Sequence, residues 1–138
     1  MSKDDKYDRQ VRLWGGHGQK CLSEAKVLVL GTSAAATETL KNLVLPGIGE
    51  FLIVDDHITC ERDLGQNFFV DASAIGKPLC EVISQHMVEM NPDVQGSGLN
   101  KSIKDVIDSH SEIVLSSQLV IACELTNTYA AKVSSLCQ

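Results

Sequence analysis

The chain has 138 residues, a formal net charge of −6, 43% hydrophobic residues and 22% charged ones. That size suits one domain with a buried core. No Lys/Arg cluster occurs, which argues against nucleic acid or an anionic membrane as the main partner, and no apolar run is long enough to span a bilayer. The polar opening "MSKDDKYDRQ" has no secretory pattern. Cys21, Cys60, Cys80, Cys123 and Cys137 form no C-x-x-C pair, so no zinc motif is read and no metal is expected. The simple reading is reduced thiols in a cytoplasmic or nuclear protein, with Cys123 in the core.

Residues 4–14 suit a short helix, with Tyr7, Val11 and Trp14 on one apolar face and Arg9 and Arg12 off it. Trp14 reads as a packing anchor. The run "GGHG" breaks this helix, and a short helical piece follows. Val27–Leu30 is an apolar run of strand length, as expected where both faces are buried. Residues 35–45 form a helix whose inner face is Leu40, Leu43 and Val44, capped by Thr32 or Ser33 and ended by "PGIG". Phe51–Val54 is the second buried strand, which completes a parallel crossover unit.

The stretch "HITCERDLGQNFFVDASAIG" lacks periodicity and reads as a long loop or short turns, functional or interfacial. Pro78 opens a helix carrying Leu79, Val82, Ile83, Met87 and Met90 at helical spacing, and "NPD" stops it. A weak strand around 94–99 precedes a helix over "SIKDVIDSHSEIV", with Ser102 and Asp105 placed as a capping box. Residues 119–123 are predicted as another buried strand and 126–136 as a final helix. The alternation defines an α/β fold, a Rossmann-like and mostly parallel sheet with helices on both faces. An N-terminal helical segment would cover 1–25 and a partial Rossmann-like domain 26–138. Because the chain ends on a helix that would normally feed another strand, it reads as the N-terminal part of a longer protein.

The first strand-to-helix turn reads Gly31-Thr-Ser33-Ala-Ala-Ala36 where a dinucleotide loop would read G-x-G-x-x-G. Gly31 keeps the turn, Ser33 puts a side chain where pyrophosphate would approach, and Ala36 is small enough for helix–strand packing. The free N–H groups of the helix end leave weak anion binding open.

The segments "KYDRQVRLWGGHGQKCL", "KVLVLG", "ETLKNLVLPGIGEFLIVDD", "DLGQNFFVDASAIGK" and "MNPDV" together resemble the adenylation domain of ubiquitin-like-protein-activating enzymes, in order and over nearly the whole chain. Within that family "KNLVLPGIG", "NFF" and "IGK" resemble the neddylation branch, with the SUMO- and ubiquitin-activating branches as alternatives. Active members carry a signature resembling D-x-D-x-x-x-x-x-N-x-x-R-Q-F after the second strand. Set against it, Asp55 matches the first acid, and His57 stands at the ribose-binding acid. Gly65, Gln66 and Asn67 stand at the asparagine, arginine and glutamine. Leu79 stands at the phosphate-binding lysine, and Leu125 near the Mg²⁺-binding aspartate.

The resemblance therefore implies a pseudo-enzyme half, with Gly31, Ser33, Ala36 and Asp55 as a vestigial nucleotide loop and no catalytic residue in this chain. Attack of a carboxylate on an α-phosphate joins two anions and needs cations, which those positions lack. The chain itself would bind no cofactor; ATP and Mg²⁺ would sit in the site of a catalytic partner subunit, which acts on a ubiquitin-like modifier. "Y-x-R-Q" is matched by Tyr7-Asp8-Arg9-Gln10, and the family's arginine there reaches across the dimer to ATP. Arg9 is thereby the candidate for contact in trans, against the plainer reading of a solvated or ion-paired arginine. Phe68 and Phe69 read equally as core or as contacts with the partner. His57 reads as a polar filler and Asp55 as a loop-orienting group. Two rival readings remain: a self-sufficient nucleotide-binding enzyme of Rossmann type, and a shortened interaction module.

Overall fold

The computed structural model describes residues 3–138, with side chains from Asp5 onward; residues 1–2 of the expected N-terminal segment lie outside the described residues. A short helix α1 (Lys3–Lys6) leads into α2 (Asp8–Glu24). Gly15 interrupts α2 with φ 76° and ψ 170°, a left-handed conformation that glycine adopts without a side-chain penalty. The break predicted at "GGHG" is thus made by Gly15, while the residues on either side stay helical.

β1 (Lys26–Leu30), α3 (Ala34–Val44) and β2 (Glu50–Val54) follow within a residue of their expected bounds. The long aperiodic stretch contains one helical turn, α4 (Glu61–Leu64), and a 3₁₀ turn at Ala72–Ala74. Then come α5 (Leu79–Met90), β3 (Gln95–Leu99), α6 (Ile103–Ser109), α7 (Ser111–Leu115), β4 (Leu119–Ala122) and α8 (Asn127–Leu136). The single helix expected over 102–114 is two, parted at His110, whose φ −132° and ψ 45° are not helical. The expected capping box there is absent, because Ser102 makes no side-chain cap.

All strands pair in parallel, in the order β3-β2-β1-β4. Strand side chains alternate between two faces, and so the core is split in two. Val27, Val29, Phe51 and Ile53 pack with Leu40 and Val44 of α3 and Ile83 and Met87 of α5. Leu28, Leu30 and Val54 pack with Val106 and Ile107 of α6, Val114 of α7 and Val133 of α8. The central strands therefore need apolar residues at every position, which is why β1 reads as an unbroken run. β4 is different: none of its four residues is fully buried, because it pairs on one side alone. The prediction of a buried strand there is corrected by its edge position. Cys123, just after it, is half-buried against the first cluster.

β3 owes its composition to close approach. A Cβ on Gly98 would lie 2.5 Å from the backbone of Cys80 at the start of α5, and one on Gly96 would fall within the Phe51 ring. β3 and α5 touch backbone to backbone at Gly98, leaving no room there for a side chain.

Candidate functional site

An order of 3-2-1-4 means that successive connections leave β1 in opposite directions, with α3 and α5 on one face and α6, α7 and α8 on the other. Between β1 and β4 the carboxyl ends of the strands consequently open a crevice, the place where such sheets bind ligands. Its volume is about 850 Å³. The β1–α3 turn, Asp55, Asp56 and His57 after β2, the α4 segment and residues 123–125 after β4 line it.

The turn behaves as its residues dictate. Gly31 has φ +114°, a region closed to most side chains, and donates its N–H to the Val54 carbonyl at 2.9 Å. Ser33 is the N-cap of α3, its Oγ accepting from the Ala36 N–H at 3.2 Å. One of the N–H groups that could have met an anion is thereby already used. Ala36 is fully buried under the sheet. Asp55 takes the Thr32 hydroxyl on Oδ2 at 2.5 Å and the Asp56 N–H on Oδ1 at 2.9 Å. It ties the ends of β1 and β2 together, the orienting role expected of it. Of the two candidate caps, Ser33 caps and Thr32 is committed to Asp55.

The positions compared with the active signature divide. His57, Gln66, Asn67 and Leu125 line the crevice; Gly65 and Leu79 do not. Leu79 is 1% exposed in the core, so its position cannot present a group to a phosphate. Four carboxylates (Asp55, Asp56, Asp63 and Glu124) and one guanidinium (Arg62) line the crevice, a net charge of −3 counting histidine as neutral. A polyphosphate entering such a lining would be repelled. Asn67 is buried; its Oδ1 accepts from the Phe69 N–H at 3.1 Å, which leaves Nδ2 without a partner.

His57 is more than a filler. Its Nε2 lies 2.8 Å from Asp63 Oδ2, which also accepts from the Cys60 N–H at 2.8 Å and lies 3.4 Å from Cys60 Sγ. Burial pushes the Asp63 carboxyl up, but the Cys60 N–H and thiol and the His57 ring together outweigh it and hold Asp63 below the usual carboxylate range. Sequence reasoning missed this cluster, because three residue types at i, i+3 and i+6 in an aperiodic stretch match no ligand pattern. Cys80, fully buried and 3.5 Å from the Asp55 carbonyl, has its thiol pushed up to about 11 by burial, with Glu81 and Asp55 adding to it. It is a packing residue, not a nucleophile.

Arg9 lies elsewhere, exposed on α2 and outside the crevice lining. Among the described residues no hydrogen bond or ion pair holds its side chain, whereas Arg12 pairs with Asp8 at 3.0 Å. Its neighbours are the anchored ones. Tyr7 is 5% exposed; its hydroxyl donates to Asp93 Oδ2 at 2.9 Å and accepts from Asn91 Nδ2 at 3.0 Å. The same Asn91 amide reaches the Val44 carbonyl at 2.8 Å. Gln10 donates to the Pro46 carbonyl at 2.5 Å. The "YDRQ" and "MNPD" segments thus meet, and the contact leaves Arg9 facing out. Trp14 is not the expected anchor: it is 41% exposed, lies over Gly18 and donates to Gln19 at 3.0 Å. Phe68 and Phe69 separate cleanly, Phe69 into the core at 7% exposure and Phe68 onto the surface at 84%. Their rings meet edge to face at 5.5 Å.

A parallel sheet in this order, with a first turn built on glycine and a crevice at the strand ends, defines a Rossmann-like α/β domain. The chain belongs to the ThiF family, whose model matches residues 7–134. It is 43% identical over 135 residues to the NEDD8-activating enzyme E1 regulatory subunit of Danio rerio, covering 98% of this chain and 25% of that protein. The Drosophila melanogaster protein of the same name is 44% identical over 123 residues, covering 89% and 24%. The chain spans about a quarter of the length of these curated relatives. Among solved structures, E. coli tRNA N6-threonylcarbamoyladenosine dehydratase superposes with a TM-score of 0.83 at 16% identity, over 97% of this chain and 56% of that one. E. coli MccB superposes with a TM-score of 0.79 at 22% identity, over 98% and 42%. These two likenesses bear on the fold alone.

Proposed function

We propose that this chain forms the pseudo-adenylation part of the regulatory subunit of a heterodimeric NEDD8-activating enzyme. The observation that carries the reading is the crevice. It is fully built, at the place where such folds bind nucleotides, yet its lining has a net charge of −3 and a core leucine stands at the lysine position. Identity above 40% to relatives named regulatory subunits supports the same assignment. In this reading ATP, Mg²⁺ and the modifier's C-terminus belong to a catalytic partner subunit. The chain supplies scaffold, with Phe68 as a surface aromatic for contact and Arg9 as a cation reaching the partner's ATP phosphates. A guanidinium that no acid holds among the described residues can stabilise phosphate charge as it grows.

The test combines this chain with the catalytic subunit, the modifier and ATP, and follows ATP–pyrophosphate exchange. Arg9→Ala is expected to lower exchange on the order of 100-fold, with association and the unfolding midpoint unchanged. Exchange by the chain alone would restore the self-sufficient enzyme reading. Failure to associate would favour instead the reading of a truncated, non-functional fragment.

A further inference from the structure

The cluster beside the crevice joins three kinds of donor: imidazole nitrogen of His57, thiol sulfur of Cys60 and carboxylate oxygen of Asp63. Their ligand atoms all lie within 4.8 Å of one another. Local structure assembles it. Cys60 is the N-cap of α4 and Asp63 its N3 residue, so the reciprocal cap folds the carboxylate back over the cysteine. His57 is fixed from the other side, where its carbonyl accepts from the Leu79 N–H at 3.0 Å and Thr59 bonds Lys77 at 2.9 Å. An antiparallel bridge between Ile58 and Pro78 completes that clasp. The backbone of the segment is therefore fixed on both sides of the cluster, and the Cys60 N–H holds the Asp63 carboxylate in place.

We propose that His57, Cys60 and Asp63 form a zinc site with its fourth position open to the crevice. Tetrahedral zinc with bonds of about 2.0 Å to N and O and about 2.3 Å to S requires donor separations of roughly 3.3–3.5 Å. The sulfur–oxygen separation, 3.4 Å, already meets that. The nitrogen–oxygen separation, 2.8 Å, must open by about half an ångström as the hydrogen bond is exchanged for metal. The donor set selects the metal: calcium and magnesium prefer all-oxygen shells, while mixed N, S and O donors suit zinc. Three protein ligands leave one position, and His57 and Asp63 both border the crevice, so water completes the shell from there. The cap alone explains the contact between Cys60 and Asp63. It does not require a histidine to close the third corner.

The experiment is a cobalt(II) titration of the purified chain, followed by zinc competition. Wild type is expected to show a thiolate-to-cobalt charge-transfer band with visible bands of tetrahedral intensity, all abolished by zinc. Cys60→Ser keeps an N-cap oxygen, so folding persists while the charge-transfer band is lost. Zinc binding by calorimetry should weaken at least about tenfold in that variant and in His57→Gln. Cys21, exposed and 3.6 Å from His17, is the competing thiol, and Cys21→Ser should leave the spectrum intact. Absence of a thiolate band in wild type overturns the proposal. So does a band that survives Cys60→Ser, or zinc affinity unmoved by His57→Gln.

Discussion

The crevice and the α2 segment are built on opposite plans. The crevice rests on the buried strand β1 and a fully buried Ala36, and its turn is fixed by Gly31, Ser33 and Asp55. No residue of α2 is buried, and the helix is held at its start by hydrogen bonds from Tyr7 and Gln10. The well-packed region carries charge of the wrong sign for a nucleotide. The lightly packed one exposes the cation, Arg9. On the proposed function, stability and nucleotide chemistry come apart in this chain, and the packing of a site says little about whether it is in use.

That contrast can be broken first at Gly31. Gly31→Val forces a branched side chain to φ +114° and should cost about 3 kcal/mol in urea unfolding, across the whole domain. A loss confined to α2 would contradict the division. The second break is at Asn91, which is 1% exposed and serves both Tyr7 and the Val44 carbonyl. Asn91→Ala removes one hydrogen bond from each, while the Tyr7 hydroxyl keeps Asp93 and the Val44 carbonyl keeps the Gly47 N–H, and should cost about 2 kcal/mol. Hydrogen exchange should rise mainly in α2, and equal loss of protection in β1 would show the two regions to be one unit.

The smallest effect is on the far face, where Asp108 accepts from Lys132 and Tyr129, both at 2.9 Å. The Lys132 ammonium, then the Tyr129 hydroxyl, hold the Asp108 carboxyl below the usual carboxylate range. A depressed acid stabilises the fold above its unfolded value of about 3.9 and ceases to as pH falls through the lower folded value. Wild type should therefore lose a small margin of thermal stability over Asp108→Asn below about pH 4. Both groups are exposed, so a large difference would mean that α8 is held by this contact and not by Val133.

β1, α3 and β2 were legible because burial on both strand faces and a 3.6-residue apolar face leave plain patterns. The division at His110 was not, since "SIKDVIDSHSEIV" keeps helical spacing through the break. "LVIA" gives no sign of lying at an edge, because edge position depends on strand order, which no local pattern carries. At the site, Gly31, Ser33, Ala36 and Asp55 could be read from the chemistry of a turn. The meeting of Tyr7 with Asn91 and Asp93 spans more than 80 residues and shows only in three dimensions. Trp14 failed as an anchor: beyond the Gly15 break the chain brings Gly18 and Gln19 against its ring, which stays at the surface.

The backbone contact between β3 and α5 has a consequence for tolerance. A survey of every substitution would find positions 96 and 98 closed even to alanine, although β3 is half-exposed and reads as the most polar of the strands. Surface exposure would there be a poor guide to what the chain accepts, since position 98 is closed by the backbone of a helix and position 96 by the Phe51 ring of the neighbouring strand.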